Sequence, residues 1–249
     1  MAGHSHAKNV MHRKAVQGAK RARAYGKLIR EITVAAKTGM PDPAHNPRLR
    51  AAVKAALTAN MTRDTIARAI TRVAPGAAGE NYEEVRYAGY GPHGIAVIVE
   101  ALTDNRNRTA ADVRHLFAKH DGNLGEVGSV AWLFERRGVV VVDGEADEDE
   151  LTLAAAEGGA EDVRRDGTTW EVTAGPEDLS SVREAVEAAG FGVESAELAL
   201  LPKTTIEVAD EAQARKILRL IDALEENDDV QEVYANFDIP ERVLEEVAS

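Results

Sequence analysis

The chain has 249 residues, 44% of them apolar, and carries 30 Lys and Arg against 42 Asp and Glu, for a net charge of −12. That length exceeds the commonest single-domain size, so two or three domains are expected. With no cysteine at all, disulfides, thiolate zinc sites, cysteine nucleophiles and iron–sulfur clusters are excluded. No apolar run approaches the roughly 20 residues of a membrane span, and the opening MAGHSHAKNVMHRKAV lacks the apolar stretch of a secretory signal. A cytoplasmic protein with no membrane partner is expected.

The charge is divided along the chain. Residues 1–74 hold 15 Lys and Arg against only Glu31, Asp42 and Asp64, a balance of +12, whereas the remainder carries −24. Such a basic block beside an acidic remainder reads as a polyanion-binding module attached to units that phosphate repels. The alternative is an internal electrostatic clamp, with the basic module docked on the acidic domains. The nucleic-acid reading is the expectation.

In chain order, residues 14–37 read as a helix, with Tyr25, Leu28, Ile29, Ile32 and Ala36 on one face at helical spacing. Opposite them Arg13, Lys20, Arg23, Lys27 and Arg30 fall in one arc, a positive stripe suited to a phosphate backbone. A second helix opens with Asn46 as N-cap and Pro47 at its first position, its core stripe being Leu49, Ala52, Val53, Ala56 and Leu57. A third, capped by Thr62, turns Ile66, Ile70 and Val73 inward, and three such helices suffice for a small bundle. Residues 74–81, APGAAGEN, have linker composition.

Beyond the linker the pattern becomes α+β. Strands are expected over 84–90 and 94–102, a helix over 108–119, and strands over 129–134 and 138–142. Trp132 and Phe134 are placed in a buried strand. Further strand and helix segments to residue 201 suggest a β-α-β-β-α-β, ferredoxin-like unit. The tail adds a strand at 204–208, a helix over 210–226 with Ala214, Ile217, Leu218, Ile221 and Leu224 inward, and a strand over 230–237.

The candidate contacts are cationic. Arg13, Lys20, Arg23, Lys27 and Arg30 are the expected main phosphate ligands, with Lys8, Lys14 and Arg21 assisting. Secondary contacts are Arg48, Arg50 and Lys54, together with Arg106 and Arg108 from the polar block 104–109. That block reads equally as a helix cap and turn or as a phosphate or carboxylate contact. The histidines show no metal-ligand spacing, and no nucleophile and base pair or convergent carboxylate set is visible. No catalytic residue, metal, cofactor or small-molecule substrate is expected; a nuclease built on Glu100, Asp104 and Asp112 is the weighed exception.

These blocks, MAGHS, HRKA, KLIREI, NPRLRAAV, NMTRDTIARAI, YGP, DNRNRTAADVRH, GNLGEVGSVAWLF, GAEDV and LIDALEENDDVQEVY, resemble the YebC/PmpR family over nearly the whole chain. Mitochondrial relatives of that family act as a translational activator of cytochrome c oxidase subunit I. The resemblance implies an α+β multidomain fold: a helical domain over 1–74, a discontinuous middle domain over 75–137 and 203–249, and a ferredoxin-like domain over 138–202 inserted into it. It also implies a DNA-binding transcriptional regulator, partnered by DNA and the transcription machinery. The alternatives are a ribosome-associated translation factor contacting ribosomal RNA and an acidic protein-interaction scaffold. The sequence departs from the family pattern at His6-Ala7, where Lys-Trp is usual, at Ala88, and at His93 and Asp121, where glycine is common.

Overall fold

The structure is a computed structural model and describes residues 17–71 and 82–248. The expected linker at 74–81, Val73 of the third helix, and the segment before Gln17 lie outside those residues.

Three helices come first: α1 (Gln17–Thr38), α2 (Pro47–Thr58) and α3 (Arg63–Thr71). Ile32, Ala35 and Ala36 pack on Leu49, Ala52 and Ala56, with Met61, Ile66 and Ala69 closing the cluster. Leu57, expected inward, is exposed instead. Asn46 fixes the turn between α1 and α2. Its Oδ1 accepts the Leu49 amide at 3.0 Å as N-cap, and its own amide donates to the Ala35 and Met40 carbonyls at 2.8 Å each. A Cβ at residue 39 would sit 2.6 Å from that side-chain nitrogen, so glycine permits the close approach.

The rest follows as β1 (Glu83–Tyr90), a one-turn 3-10 segment (Pro92–Gly94), β2 (Ala96–Thr103) and α4 (Arg106–Lys119). Next come β3 (Asn123–Gly125), α5 (Val127–Ala131), β4 (Phe134–Asp143), α6 (Glu148–Glu157), β5 (Ala160–Asp166) and β6 (Thr169–Ala174). The chain ends with α7 (Leu179–Ala188), β7 (Val193–Pro202), β8 (Ile206–Glu207), α8 (Glu211–Glu225), β9 (Val230–Ala235), β10 (Phe237–Asp238) and α9 (Glu241–Ala248).

Two four-stranded sheets result, ordered β3-β1-β2-β9 and β5-β6-β4-β7. The fold is α+β. Strand β9 returns to pair with β2 after the whole second sheet has been completed, so the second unit is inserted in the first. The antiparallel order β5-β6-β4-β7 over a β-α-β-β-α-β chain is the ferredoxin-like arrangement. Strand β2 reads AVIVEALT and is buried on both faces. Val97 and Val99 meet Phe117 of α4 and Ile217, Leu220 and Leu224 of α8, whereas Ala96 and Ile98 meet Val130 and Phe134. Glu100, the half-buried exception, takes a hydrogen bond from Arg86 directly across the ladder at 2.5 Å. On the second sheet, Val140, Val142, Trp170 and Val172 pack beneath Leu151 and Ala155 of α6 and Val182 and Val186 of α7.

Two expectations need correction. Residues 129–134 are not a strand: a short helix ends at Ala131 and β4 starts at Phe134. The apolar positions there that join the core are Val127, Val130, Leu133 and Phe134, a spacing of i, i+3, i+6, i+7 that fits a helical turn and not alternation. Trp132 is therefore not core. Its indole N–H and the Tyr90 hydroxyl both donate to the Ser129 carbonyl, at 3.0 and 3.1 Å, and the indole stays 64% exposed. The strand expected over 204–208 shortens to β8, which pairs in parallel with β10.

Candidate functional site

The segment that gathers charge is the turn between α8 and β9. Helix α8 buries Ala214, Ile217, Leu218, Ile221 and Leu224 and ends at Glu225, so the polar run Glu226-Asn227-Asp228-Asp229 is delivered at the edge of the first sheet. The Asp229 amide donates to Asn227 Oδ1 at 3.0 Å, tightening the turn. Asp229 itself is buried. Its Oδ2 accepts from Arg108 and from Thr109 at 2.7 Å each and from Thr103 at 3.3 Å, while Arg30 lies 3.6 Å from Oδ1. Burial pushes this carboxyl up. The hydrogen bonds from Arg108 and Thr109 and the charges of Arg108 and Arg30 outweigh that effect, and the net pKa falls below the usual carboxylate value.

A cleft of about 370 Å³ opens beside this carboxylate, lined by Arg30, Tyr82, Asp104, Arg108, Asp112, Asn227, Asp228 and Asp229. It lies where the helical unit meets the rest of the chain.

Of the expected phosphate ligands, Lys8, Arg13 and Lys14 lie outside the described residues, and Lys20, Arg21 and Arg23 are positions on α1. Lys27 and Arg30 continue the same helix, but they reach across the junction. Lys27 Nζ donates to the Glu225 carbonyl at 2.9 Å. Arg30 donates to the Asp228 carbonyl, pairs with Asp229, and stacks over the Tyr82 ring with its guanidinium carbon 5.5 Å from the centroid. The two stripe residues that the structure describes in side-chain detail, Lys27 and Arg30, thus face the acidic body, the arrangement of the clamp reading.

The secondary contacts disperse. Arg48 bridges Glu31 at 2.6 Å and Glu84 at 2.5 Å, Arg50 donates to the carbonyls of Pro43 and Ala44 at 2.9 Å each, and Lys54 pairs with Glu187 at 3.6 Å. Arg106 is exposed. In the 104–109 block, the cap and the carboxylate contact coexist: Asn105 Oδ1 accepts the Arg108 amide at 3.1 Å, and the Arg108 guanidinium holds Asp104 at 2.8 Å as well as Asp229. Glu100 turns to Arg86 instead of joining Asp104 and Asp112. Among the described residues no three His, Cys, Asp or Glu side chains converge as a metal-holding group, and no helix is long and apolar enough to cross a membrane.

Sequence reasoning missed Asp229 and Tyr82. The one available signal was the acidic run after α8, which looks like an ordinary solvated turn until Arg30 and Arg108 are seen to meet there.

Two family models match the chain: "TACO1/YebC protein N-terminal domain" over residues 5–76 and "TACO1/YebC second and third domain" over residues 82–237. A protein of Aeromonas salmonicida named "Probable transcriptional regulatory protein" is 56% identical over 245 residues, 98% of each chain. A protein of Desulfotalea psychrophila with the same descriptive name is 49% identical over 249 residues, all of both chains. The crystal structure of a conserved hypothetical protein from Aquifex aeolicus superposes with a TM-score of 0.83 at 48% identity, covering 90% of this chain and 93% of that one.

Proposed function

This chain belongs to the TACO1/YebC family, and on that premise we propose that it is a cytoplasmic, non-enzymatic, DNA-binding regulator of transcription that grips phosphate through its basic N-terminal segment. The observation that carries this reading is the charge division: +12 in residues 1–74 against −24 beyond. A module with three acids among 18 charged residues gains by neutralising phosphates and releasing counterions, and an acidic body confines that contact to one end. The working units are residues 1–74, residues 75–137 with 203–249, and residues 138–202. Lys27 and Arg30 tether the module in the described arrangement, so its phosphate ligands are Lys8, Arg13, Lys14, Lys20, Arg21 and Arg23. Relatives named as transcriptional regulators support DNA as the target.

A second reading, a translation factor on ribosomal RNA, draws on the resemblance to the mitochondrial translational activator, since phosphate contacts read neither base edges nor the 2′-hydroxyl. Sedimentation of the native protein in cell lysate, with and without nucleases, separates the two. Association lost on DNase treatment is expected. Co-migration with ribosomal particles that survives DNase and is lost with RNase would replace transcription by translation, and absence from both would overturn nucleic-acid binding.

A further inference from the structure

The hydrophobic clusters among the described residues do not cross the junction between the helical unit and the rest. The helical cluster runs from Tyr25 to Ile70, and the members of the others begin at Val85. What does cross it is charge, with the cation on the helical side in each of these contacts between described residues: Lys27 to the Glu225 carbonyl, Arg30 to the Asp228 carbonyl and the Asp229 carboxylate, Arg48 to Glu84, and Lys54 to Glu187. The Glu225 carbonyl belongs to the last residue of α8, where the helix dipole is negative. To Lys27 and Arg30 the α8–β9 turn therefore presents two carbonyl oxygens at hydrogen-bond distance and a carboxylate oxygen at 3.6 Å, acceptors that stand in for the oxygens of a phosphate backbone.

We infer that the α8–β9 turn, with Glu84 and Glu187, is an intramolecular phosphate mimic that masks a second polyanion-binding face made by Lys27, Arg30, Arg48 and Lys54. Nucleic acid competes for these cations, and the helical unit swings off the body when it wins. This rests on the proposed nucleic-acid binding and adds its regulation. Exposed ion pairs each shift an equilibrium by about two- to fivefold, so a handful of them can hold the unit closed and still yield to a polyanion carrying many charges. While the closed form dominates, the apparent affinity of the full set of cations is lowered by the fraction of molecules that are open.

The test uses the full chain and a fluorescent 25-base-pair DNA duplex of arbitrary sequence as the polyanion. Because the sequence has no cysteine, Ala51→Cys on α2 and Ser180→Cys on α7, both exposed positions, supply the only two thiols, which a mixture of donor and acceptor dyes labels. Energy transfer between them is expected to fall as duplex is added, and also as salt is raised without duplex. The double substitution Glu84→Gln and Glu187→Gln removes two mask carboxylates while leaving every cation in place. It is expected to tighten duplex binding about threefold or more. Glu148→Gln with Glu150→Gln, an equal change of charge on the exposed start of α6, is expected to tighten it far less. Duplex binding with unchanged energy transfer, or equal tightening by both pairs, overturns the mask and leaves nucleic-acid binding standing. If neither the parent nor the variants bind duplex or a single-stranded RNA of similar length, both readings fall.

Discussion

Three side chains among the described residues occupy backbone that favours glycine, and one of them, Asn60 with φ of 62°, is of a type that tolerates it. His93 and Asp121 have φ of 59° each, in the left-handed region where a Cβ crowds the following carbonyl, and both stand where the family commonly has glycine. Asp121 ends the turn after α4, next to Gly122, whose own added Cβ would lie 2.8 Å from the Tyr90 carbonyl; the chain there has little room to relax. His93 lies in the Pro92–Gly94 turn that reverses β1 into β2. Replacing either by glycine is expected to raise the stability by about 0.5–1 kcal/mol in denaturant titration, the relief of local strain exceeding the added freedom of the unfolded chain. Loss of stability at both positions would mean that the side chains make compensating contacts, such as the 3.5 Å approach of Lys216 to Asp121.

At the scale of elements, legibility followed burial and period. The helices of the first unit and α8 were readable because their apolar positions recur at helical spacing and their caps, Asn46 and Asp210, are side chains that accept the amide three residues on. Strand β5 is not legible in the sequence, since AEDVRRD is a charged edge strand with little buried on either face. The 127–134 segment misleads because Val130-Ala131-Trp132-Leu133-Phe134 reads as a strand, whereas its inward positions, Val127, Val130, Leu133 and Phe134, recur at helical spacing and leave Trp132 outside. The two tryptophans give a direct check. Trp132 is exposed, whereas Trp170 is buried, donates to the Ala146 carbonyl at 3.1 Å and lies under Arg165. Trp132→Phe is expected to leave a blue-shifted emission that acrylamide quenches poorly, and Trp170→Phe a red-shifted emission that it quenches readily. The reverse assignment would restore a buried strand at 129–134. The candidate site was half legible: the cations of α1 showed in their spacing, but which of them meet the body depends on Tyr82 and Asp229, which lie 52 and 199 residues after Arg30.

At the scale of the whole molecule, the protein joins a small helical unit, stabilised by its own apolar cluster, to an acidic pair of interlocked α+β units through a polar junction. Such junctions hold through charge and permit relative motion by default. Lys27 and Arg30 anchor the unit; under the proposed function the uneven charge is then a division of labour, with the leading cations left for a polyanion and the acidic body limiting where phosphate can approach.

The measurement that bears most directly on this account is duplex affinity as a function of salt, read by fluorescence anisotropy for the parent and for the triple substitution Lys20→Glu, Arg21→Glu and Arg23→Glu, with folding followed by circular dichroism. Six phosphate contacts give a slope of log affinity on log salt of about −5. The triple variant is expected to keep its fold, to bind far more weakly, and to show a slope of about −3 or shallower. A parent slope near zero, or a folded variant that binds as the parent does, would contradict the assignment of the N-terminal segment as the polyanion-binding surface.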